Sequence, residues 1–220
     1  MTNLLFQSIL FSFILFSLVA CNGGKTVTPE PVESPAPTII KEDPWSHLDQ
    51  KQKEVQKSLS NYLQELENLN PEGIMALTYP KLFLATSRSR FRDYLYTMIS
   101  STNLNIESFK SKITNIDTIQ SFSNGFFCPV TYHSEITIMF LNPDSYNDEY
   151  SIRVLQSILG EKYGRNRIST DHEKRSITIK KYEKMLAIKD NGEEWKFVGY
   201  NQEYKNLYPN FLPSDILNQI

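Results

Sequence analysis

Apolar residues between Ser46 and Leu69 recur at helical spacing among Lys, Gln and Glu. This pattern predicts an amphipathic helix of about six turns. The run Asn70-Pro71-Glu72-Gly73 should end it and open a short second helix, because Asn caps well and Pro is favoured in the first turn. That helix should stop near Tyr79-Pro80, since a residue before Pro leaves helical geometry. Residues 81–85 and 91–99 also have helical spacing and predict one or two further helices.

After Ser100 the period shifts toward two, which predicts β-strands. The first is expected from Ile106 to Ile116 and the second from Phe126 to Leu141. In the second strand one face is apolar and should point into the core. Its members are Cys128, Val130, Tyr132, Ile136, Ile138 and Phe140.

The remaining pattern predicts a helix inserted into the sheet region and then a hairpin. The helix should run from Pro143 to Gly160 or Gly164. Strands at 176–189 and 195–200 should be joined at Asp190-Asn191-Gly192, a strong turn signal. The apolar parity changes between Ile179 and Tyr182, and a β-bulge near Lys180 would explain that change.

The amino-terminal stretch from Leu4 to Ala20 is almost wholly apolar and too short for a typical spanning helix. It closes on Leu18-Val19-Ala20-Cys21, which resembles the bacterial lipobox. The resemblance implies cleavage between Ala20 and Cys21, a diacylglyceryl group on the Cys21 sulfur and fatty acylation, such as palmitate, of the new amine. Because Met1-Thr2-Asn3 lacks Lys and Arg, an uncleaved anchor is the alternative.

The chain therefore divides into three parts: a signal peptide (1–20), a lipidated cysteine with a disordered tether (21–44), and one domain (45–220). The tether prediction rests on five prolines and no aromatic residue between 22 and 44. Asn22 is not the Asp that retains some lipoproteins in the inner membrane. We therefore expect a lipid-anchored protein of the cell envelope, with the outer membrane favoured over the inner.

Composition and charge narrow the choice of partners. The formal charge is −2, with 23 basic and 25 acidic residues spread along the chain, so no basic stripe suggests nucleic-acid binding. If Cys21 carries lipid, Cys128 has no partner for a disulfide, and the domain must fold on its apolar core alone.

Helices followed by antiparallel strands predict an α+β domain with the amino-terminal helices packed on a curved sheet. The segments 76–83, 185–190 and 194–200 resemble uncharacterised proteins of Bacteroidota. They are also similar to the cystatin-like cone superfamily typified by nuclear transport factor two and the SnoaL-like cyclases. This resemblance implies a pocket at the mouth of the cone, whereas the inserted helix departs from the minimal fold.

The sequence offers few candidates for chemistry. Asp93 on the last helix before the sheet could be a pocket acid, but a solvent-facing helix residue is the more ordinary interpretation. His133 and Glu135 share a strand face and could form a base with its orienting partner, yet that face lies opposite the apolar one. Cys128 is better explained as a buried small hydrophobe than as a nucleophile.

No cofactor or metal is expected. His47 and His172 sit in polar stretches far from any ligand cluster. Trp195 and Phe197 should pack in the core, although aromatic residues would also suit the wall of an apolar pocket.

Three functions stay open at this point. We favour a non-enzymatic lipoprotein that is held at the membrane by its lipid and binds a small apolar ligand or an envelope protein. A SnoaL-like isomerase or hydrolase is the second hypothesis, and a structural or inhibitory interaction module is the third. An ionisable group inside the cone would favour an enzyme, and an apolar cavity would favour a carrier.

Overall fold

A computed structural model describes residues 44–141, 149–201 and 205–220 of the chain. The predicted leader, the Ala20–Cys21 cleavage site and tether residues 21–43 lie outside the described residues. No helix within the described ranges combines the length and apolar character that crossing a bilayer requires.

Four helices come first, as predicted from the helical spacing. They are α1 (Gln50–Glu67), α2 (Pro71–Leu77), α3 (Leu82–Ala85) and α4 (Arg88–Ile99). A capping box begins α1. The Asp49 carboxylate accepts a hydrogen bond from the Gln52 backbone N–H at 2.8 Å, and the Gln52 side chain accepts one from the Asp49 N–H at 3.1 Å.

Six antiparallel strands follow, in the order β1-β3-β5-β4, with β2 paired to β3 and β6 paired to β5. Their bounds are Leu104–Ile116, Gln120–Phe122, Gly125–Phe140, Ile168–Asp171, Ser176–Asp190 and Lys196–Gly199 for β1 to β6. The α+β class with helices on an antiparallel sheet is confirmed, as is the hairpin at residues 190–192. The short strands β2 and β4 were not predicted.

The inserted helix is also present, as α5 (Glu149–Tyr163). It is followed by Gly164, whose φ of 95° suits a glycine. The predicted start at Pro143 lies outside the described residues.

The expected β-bulge near Lys180 is wrong. The register of β3 with β5 runs without interruption from Gly125 opposite Asp190 to Met139 opposite Ser176. The parity of β5 is therefore constant. Tyr182, which is 53% exposed, shares a face with Leu186 and Ile188, which are fully buried, so β5 is covered on both faces near its carboxyl end. Register shifts occur instead between β1 and β3, next to Ile106 and Ile113.

Constant parity places two charged residues among the apolar ones on the concave face of β5. This face carries Ile177, Ile179, Lys181, Glu183 and Met185, all of them buried. Two apolar clusters include residues of β5. The larger includes α1, α2, α4 and the carboxy-terminal segment, while the smaller includes Ile177 and Ile179 together with α5 residues. Lys181 and Glu183 thus lie at the seam between the two clusters.

Candidate functional site

A cavity of about 70 Å³ opens between the helices and the concave face of the sheet. Helices α1 and α4 supply one wall, and strands β1, β5 and β6 supply the other. The apolar wall includes Tyr62, Phe91, Leu95, Phe109, Met185 and Phe197. This volume admits about two waters or the end of an apolar molecule, which is well below the size of a typical drug-sized pocket.

Two polar side chains, Tyr132 and Glu183, also line this cavity. They lie directly opposite each other on β3 and β5. Burial, and secondly the charge of Glu183, raise the pKa of Tyr132 well above its usual value. Tyr132 therefore keeps its proton at any physiological pH and can donate a hydrogen bond, whereas Glu183 can accept one.

A second phenol, that of Tyr62, also lines the cavity. Tyr62 of α1 is buried, and its burial raises the pKa to about 12, partly offset by a hydrogen bond with the Thr78 side chain. The Thr78 hydroxyl also donates to the Ile74 carbonyl at 2.8 Å. Tyr62 is thus a neutral phenol held in place from α2.

Lys181 lies two residues before Glu183 on the same face of β5 and forms a second polar pair with it. The Lys181 ammonium forms an ion pair with the Glu183 carboxylate, and the two residues are only 1% and 6% exposed. Burial lowers the pKa of Lys181, against the opposing effect of the Glu183 charge. The Tyr163 ring of α5 lies 5.9 Å from the ammonium.

Ser134 completes this polar group, directly opposite Lys181 in the register. It is fully buried, and its hydroxyl has no hydrogen-bond partner among the described residues. Four polar side chains of two neighbouring strands, Tyr132, Ser134, Lys181 and Glu183, therefore form one group, and two of them, Tyr132 and Glu183, line the cavity. We call them the polar quartet.

The structure places the predicted candidates outside the cavity. Asp93 is exposed on α4, which confirms the ordinary interpretation. Glu135 pairs with Lys180 at 3.1 Å, and the His133 ring packs edge-on against Tyr182 at 5.3 Å. Both contacts lie on the face away from the cavity, as predicted.

Cys128 is fully buried, as predicted. Its thiol donates to the Asp117 carbonyl at 3.0 Å, and burial is the main cause that raises its pKa to about 12. A thiol so rarely ionised is a poor nucleophile. His47 and His172 are exposed, and within the described residues no group of three or more His, Cys, Asp or Glu could hold a metal ion.

Of the two predicted aromatic residues, Phe197 lines the cavity and Trp195 is buried away from it. Glu183, Lys181 and Ser134 were missed entirely, although the alternation of β5 from Ile177 to Met185 contains the necessary signal. The sequence analysis placed Tyr132 on the core face. The sequence of β3 does not show that Glu183 of β5 lies opposite it.

Solved structures that are similar to this chain include two bacterial proteins. One is a ketosteroid isomerase-like protein from Erwinia carotovora atroseptica SCRI1043, with a TM-score of 0.39 and 9% identity over 68% of this chain and 92% of that chain. The other is a nuclear transport factor 2-like superfamily protein from Salmonella enterica serovar Typhimurium LT2. Its TM-score is 0.38, and the two sequences are 11% identical over 69% of this chain and 92% of that chain. At TM-scores this low, neither neighbour's activity transfers to this chain. No protein-family model matches the chain, and no curated protein matches it in sequence.

Proposed function

We propose that this protein is a lipid-anchored envelope lipoprotein whose domain binds a small, mainly apolar molecule bearing a hydroxyl or amino group. The observation that carries the proposal is the cavity itself, with walls that are mainly apolar and with Tyr132 and Glu183 of the polar quartet in its lining. Apolar walls with a few fixed polar groups are the usual composition of a small-molecule site.

The charges select the ligand's polar group. A carboxylate such as Glu183 only accepts hydrogen bonds, so it favours a ligand that donates one. Tyr132 can donate in return to the same hydroxyl oxygen. A ligand carboxylate would instead lie beside Glu183 and compete with it for the Lys181 ammonium, which would leave one negative charge unbalanced in a poorly hydrated space.

The anchoring half of the proposal rests on Leu18-Val19-Ala20-Cys21. Two or three acyl chains on Cys21 would hold the domain at a membrane stably, since each buried methylene adds about 0.8 kcal/mol. The outer membrane is favoured because Asn22 follows the cysteine. Replacing Cys21 with Ser should abolish lipid incorporation and leave the leader uncleaved. If Cys21→Ser is processed and acylated as before, the lipobox assignment is wrong.

Native mass spectrometry of the full chain, released from its own membrane in detergent, tests the binding half. We expect an extra mass of a few hundred daltons or less that dissociates on activation. Tyr132→Phe and Glu183→Gln should lower its occupancy, and Tyr182→Phe, a change on the opposite face of β5, should not. A chain that carries no ligand, or loses it equally in all three variants, contradicts the proposal.

An enzyme that moves a proton is the second candidate function, because a carboxylate and a protonated phenol face each other inside the cavity. Such a pair could remove a proton beside a carbonyl group and stabilise the resulting oxyanion. The captured ligand should then exchange C–H hydrogen for deuterium in D₂O with the wild-type protein. Loss of this exchange in Glu183→Gln, with binding retained, would favour the enzyme over the carrier.

A further inference from the structure

The central part of the sheet's outer face, which points away from the cavity, carries several basic side chains. Residues opposite each other in an antiparallel pair point to the same face. The registers of β1, β3 and β5 therefore give three adjacent rows across this face. The rows are Lys110, Glu135 and Lys180; Lys112, His133 and Tyr182; and Asn115, Thr131 and Lys184. Arg167, just before β4, joins the middle row, because its guanidinium carbon lies 5.5 Å from the centre of the Tyr182 ring. We call these residues the outer basic face.

Positive charge exceeds negative charge on the outer basic face. Five of its members are Lys or Arg, and its one acid is Glu135. The whole chain has 23 basic and 25 acidic residues, so composition does not account for this excess. Glu135 is joined to Lys180 at 3.1 Å, while the other three lysines and Arg167 are exposed. Glu107 and Asp171 lie beyond the three rows, toward the amino-terminal ends of β1 and β5. The face therefore carries four positive charges more than negative ones.

The arrangement of these charges indicates the kind of partner. The lysines of β1 and β5 flank β3 in two lines about 10 Å apart. A symmetric contact with a second copy would place these lines of like charge against each other. A protein interface usually has an apolar centre depleted in Lys, whereas the exposed ring here, Tyr182, has basic neighbours. A bilayer with anionic lipids offers many mobile phosphates in one plane, which complements charges spread over three strands.

We propose that the outer basic face rests on the anionic lipids of the membrane that holds the anchor. The inference rests on the anchor of the proposed function, because four excess charges alone bind a bilayer weakly. Tethering raises the effective concentration of the face at the bilayer to about the millimolar range, at which weak binding suffices. Each basic residue at an anionic surface strengthens docking by roughly fivefold. The cavity lies on the other face of the sheet, so docking leaves the cavity and the amino-terminal helices turned away from the bilayer.

The test uses the full lipidated chain in vesicles of phosphatidylethanolamine and phosphatidylglycerol that contain a lipid with a nitroxide on its headgroup. A fluorophore is attached at Ser169→Cys, an exposed position opposite Thr178 on the outer side of the sheet. The control carries it at Asn61→Cys, on the exposed side of α1. Cys128 is buried and does not compete for the label. We expect several-fold stronger quenching at position 169 than at position 61.

Matched changes of charge identify the surface that docks. Lys110→Gln, Lys112→Gln and Lys184→Gln in one chain should bring quenching at position 169 close to that at position 61, and they leave the pair of Glu135 and Lys180 in place. Removing the same charge from the exposed helix surface, by Lys57→Gln, Arg90→Gln and Arg92→Gln, should change nothing. Vesicles of phosphatidylcholine, or 0.5 M salt, should act like the first set, because docking depends on anionic lipid and is screened by ions.

Each other outcome overturns a defined part of the proposal. Protein that floats with the vesicles but shows equal quenching at positions 169 and 61 refutes the docking and leaves the anchor intact. Protein that does not float refutes the anchor and this inference together. A probe at position 169 that is shielded without being quenched shows that a second copy covers the face. If a soluble acidic polysaccharide abolishes quenching at a charge concentration well below that of the lipid, the face prefers such a polymer, and the assignment to the bilayer is wrong.

Discussion

Glu183 lies directly opposite Tyr132 across two paired strands, and its carboxylate also forms an ion pair with Lys181, two residues earlier on β5. Glu183 therefore both lines the cavity and contacts Lys181, which lies between the two apolar clusters. Burying such charges is costly unless each finds a partner. The presence of Lys181 and Glu183 on a buried face with Ile177, Ile179 and Met185 is what makes this the candidate site.

Breaking the buried pair from one side should be strongly destabilising. Replacing Lys181 with Met leaves Glu183 buried without its counter-ion, and we expect a loss of about 3–5 kcal/mol in the free energy of unfolding. Lys181→Met combined with Glu183→Leu should restore part of that loss. Urea unfolding followed by circular dichroism measures both.

The matched control is the neighbouring pair on the other face of β5. Lys180 and Glu135 are joined at 3.1 Å, but their side chains are 49% and 28% exposed. An exposed pair contributes little, so Lys180→Met should cost under about 1 kcal/mol. Similar losses for Lys181→Met and Lys180→Met would contradict the burial argument.

The helices and long strands could be predicted because each is amphipathic with a constant period. The site could not be predicted as readily, since charged residues were assumed to face solvent. The bulge near Lys180 was inferred from the apolar residues of β5, which change parity from Ile177 and Ile179 to Tyr182, Leu186 and Ile188. Leu186 and Ile188 are buried on the other face of an unbroken strand, so the change of parity needs no bulge. Unbroken alternation from Ile177 to Met185 places Lys181 and Glu183 inside. Glu183 lies opposite Tyr132 because of the register between β3 and β5. That register depends on two segments that are far apart in the sequence, so neither segment alone predicts it.

The thiol of Cys128 should give a specific dependence of stability on pH. Its pKa is raised from 9.0 to about 12 in the folded chain. Below pH 9.0 the thiol is protonated in both states, and its contribution to stability is complete. Between pH 9.0 and about 12 the unfolded chain loses the proton first, so stability falls as pH rises.

This is measured in a Cys21→Ser background, where Cys128 is the remaining thiol of the two in the chain. The alkaline loss of unfolding free energy should be smaller after Cys128→Ala. The native protein should also resist iodoacetamide until denaturant is added. Rapid alkylation of the folded chain would show that the thiol is accessible.

Gly125, which begins β3, should tolerate no side chain. Its φ is +152°, and an added Cβ would lie 2.0 Å from the Lys189 carbonyl oxygen. Gly192 in the β5–β6 turn also has a positive φ, +81°, but nothing lies within 4 Å of its Cβ position. We expect Gly125→Ala to cost about 3 kcal/mol or more and Gly192→Ala about 1 kcal/mol. Thermal unfolding of the two variants compares them, and equal losses would rule out the steric explanation.

A side chain of α1, Glu67, covers part of the outer edge of β1. Removing this side chain should promote self-association. One oxygen of Glu67 accepts from the Ser111 backbone N–H and from its hydroxyl, both at 2.7 Å. Among the described strands β1 pairs with β3 alone, so its other edge offers unpaired backbone groups. Glu67→Ala should therefore produce dimers or larger species in sedimentation velocity experiments as concentration rises. Glu67→Gln keeps an acceptor, and Gln64→Ala changes the preceding turn of α1, so neither should shift the distribution. If Glu67→Ala sediments like these two controls, a different feature protects the edge.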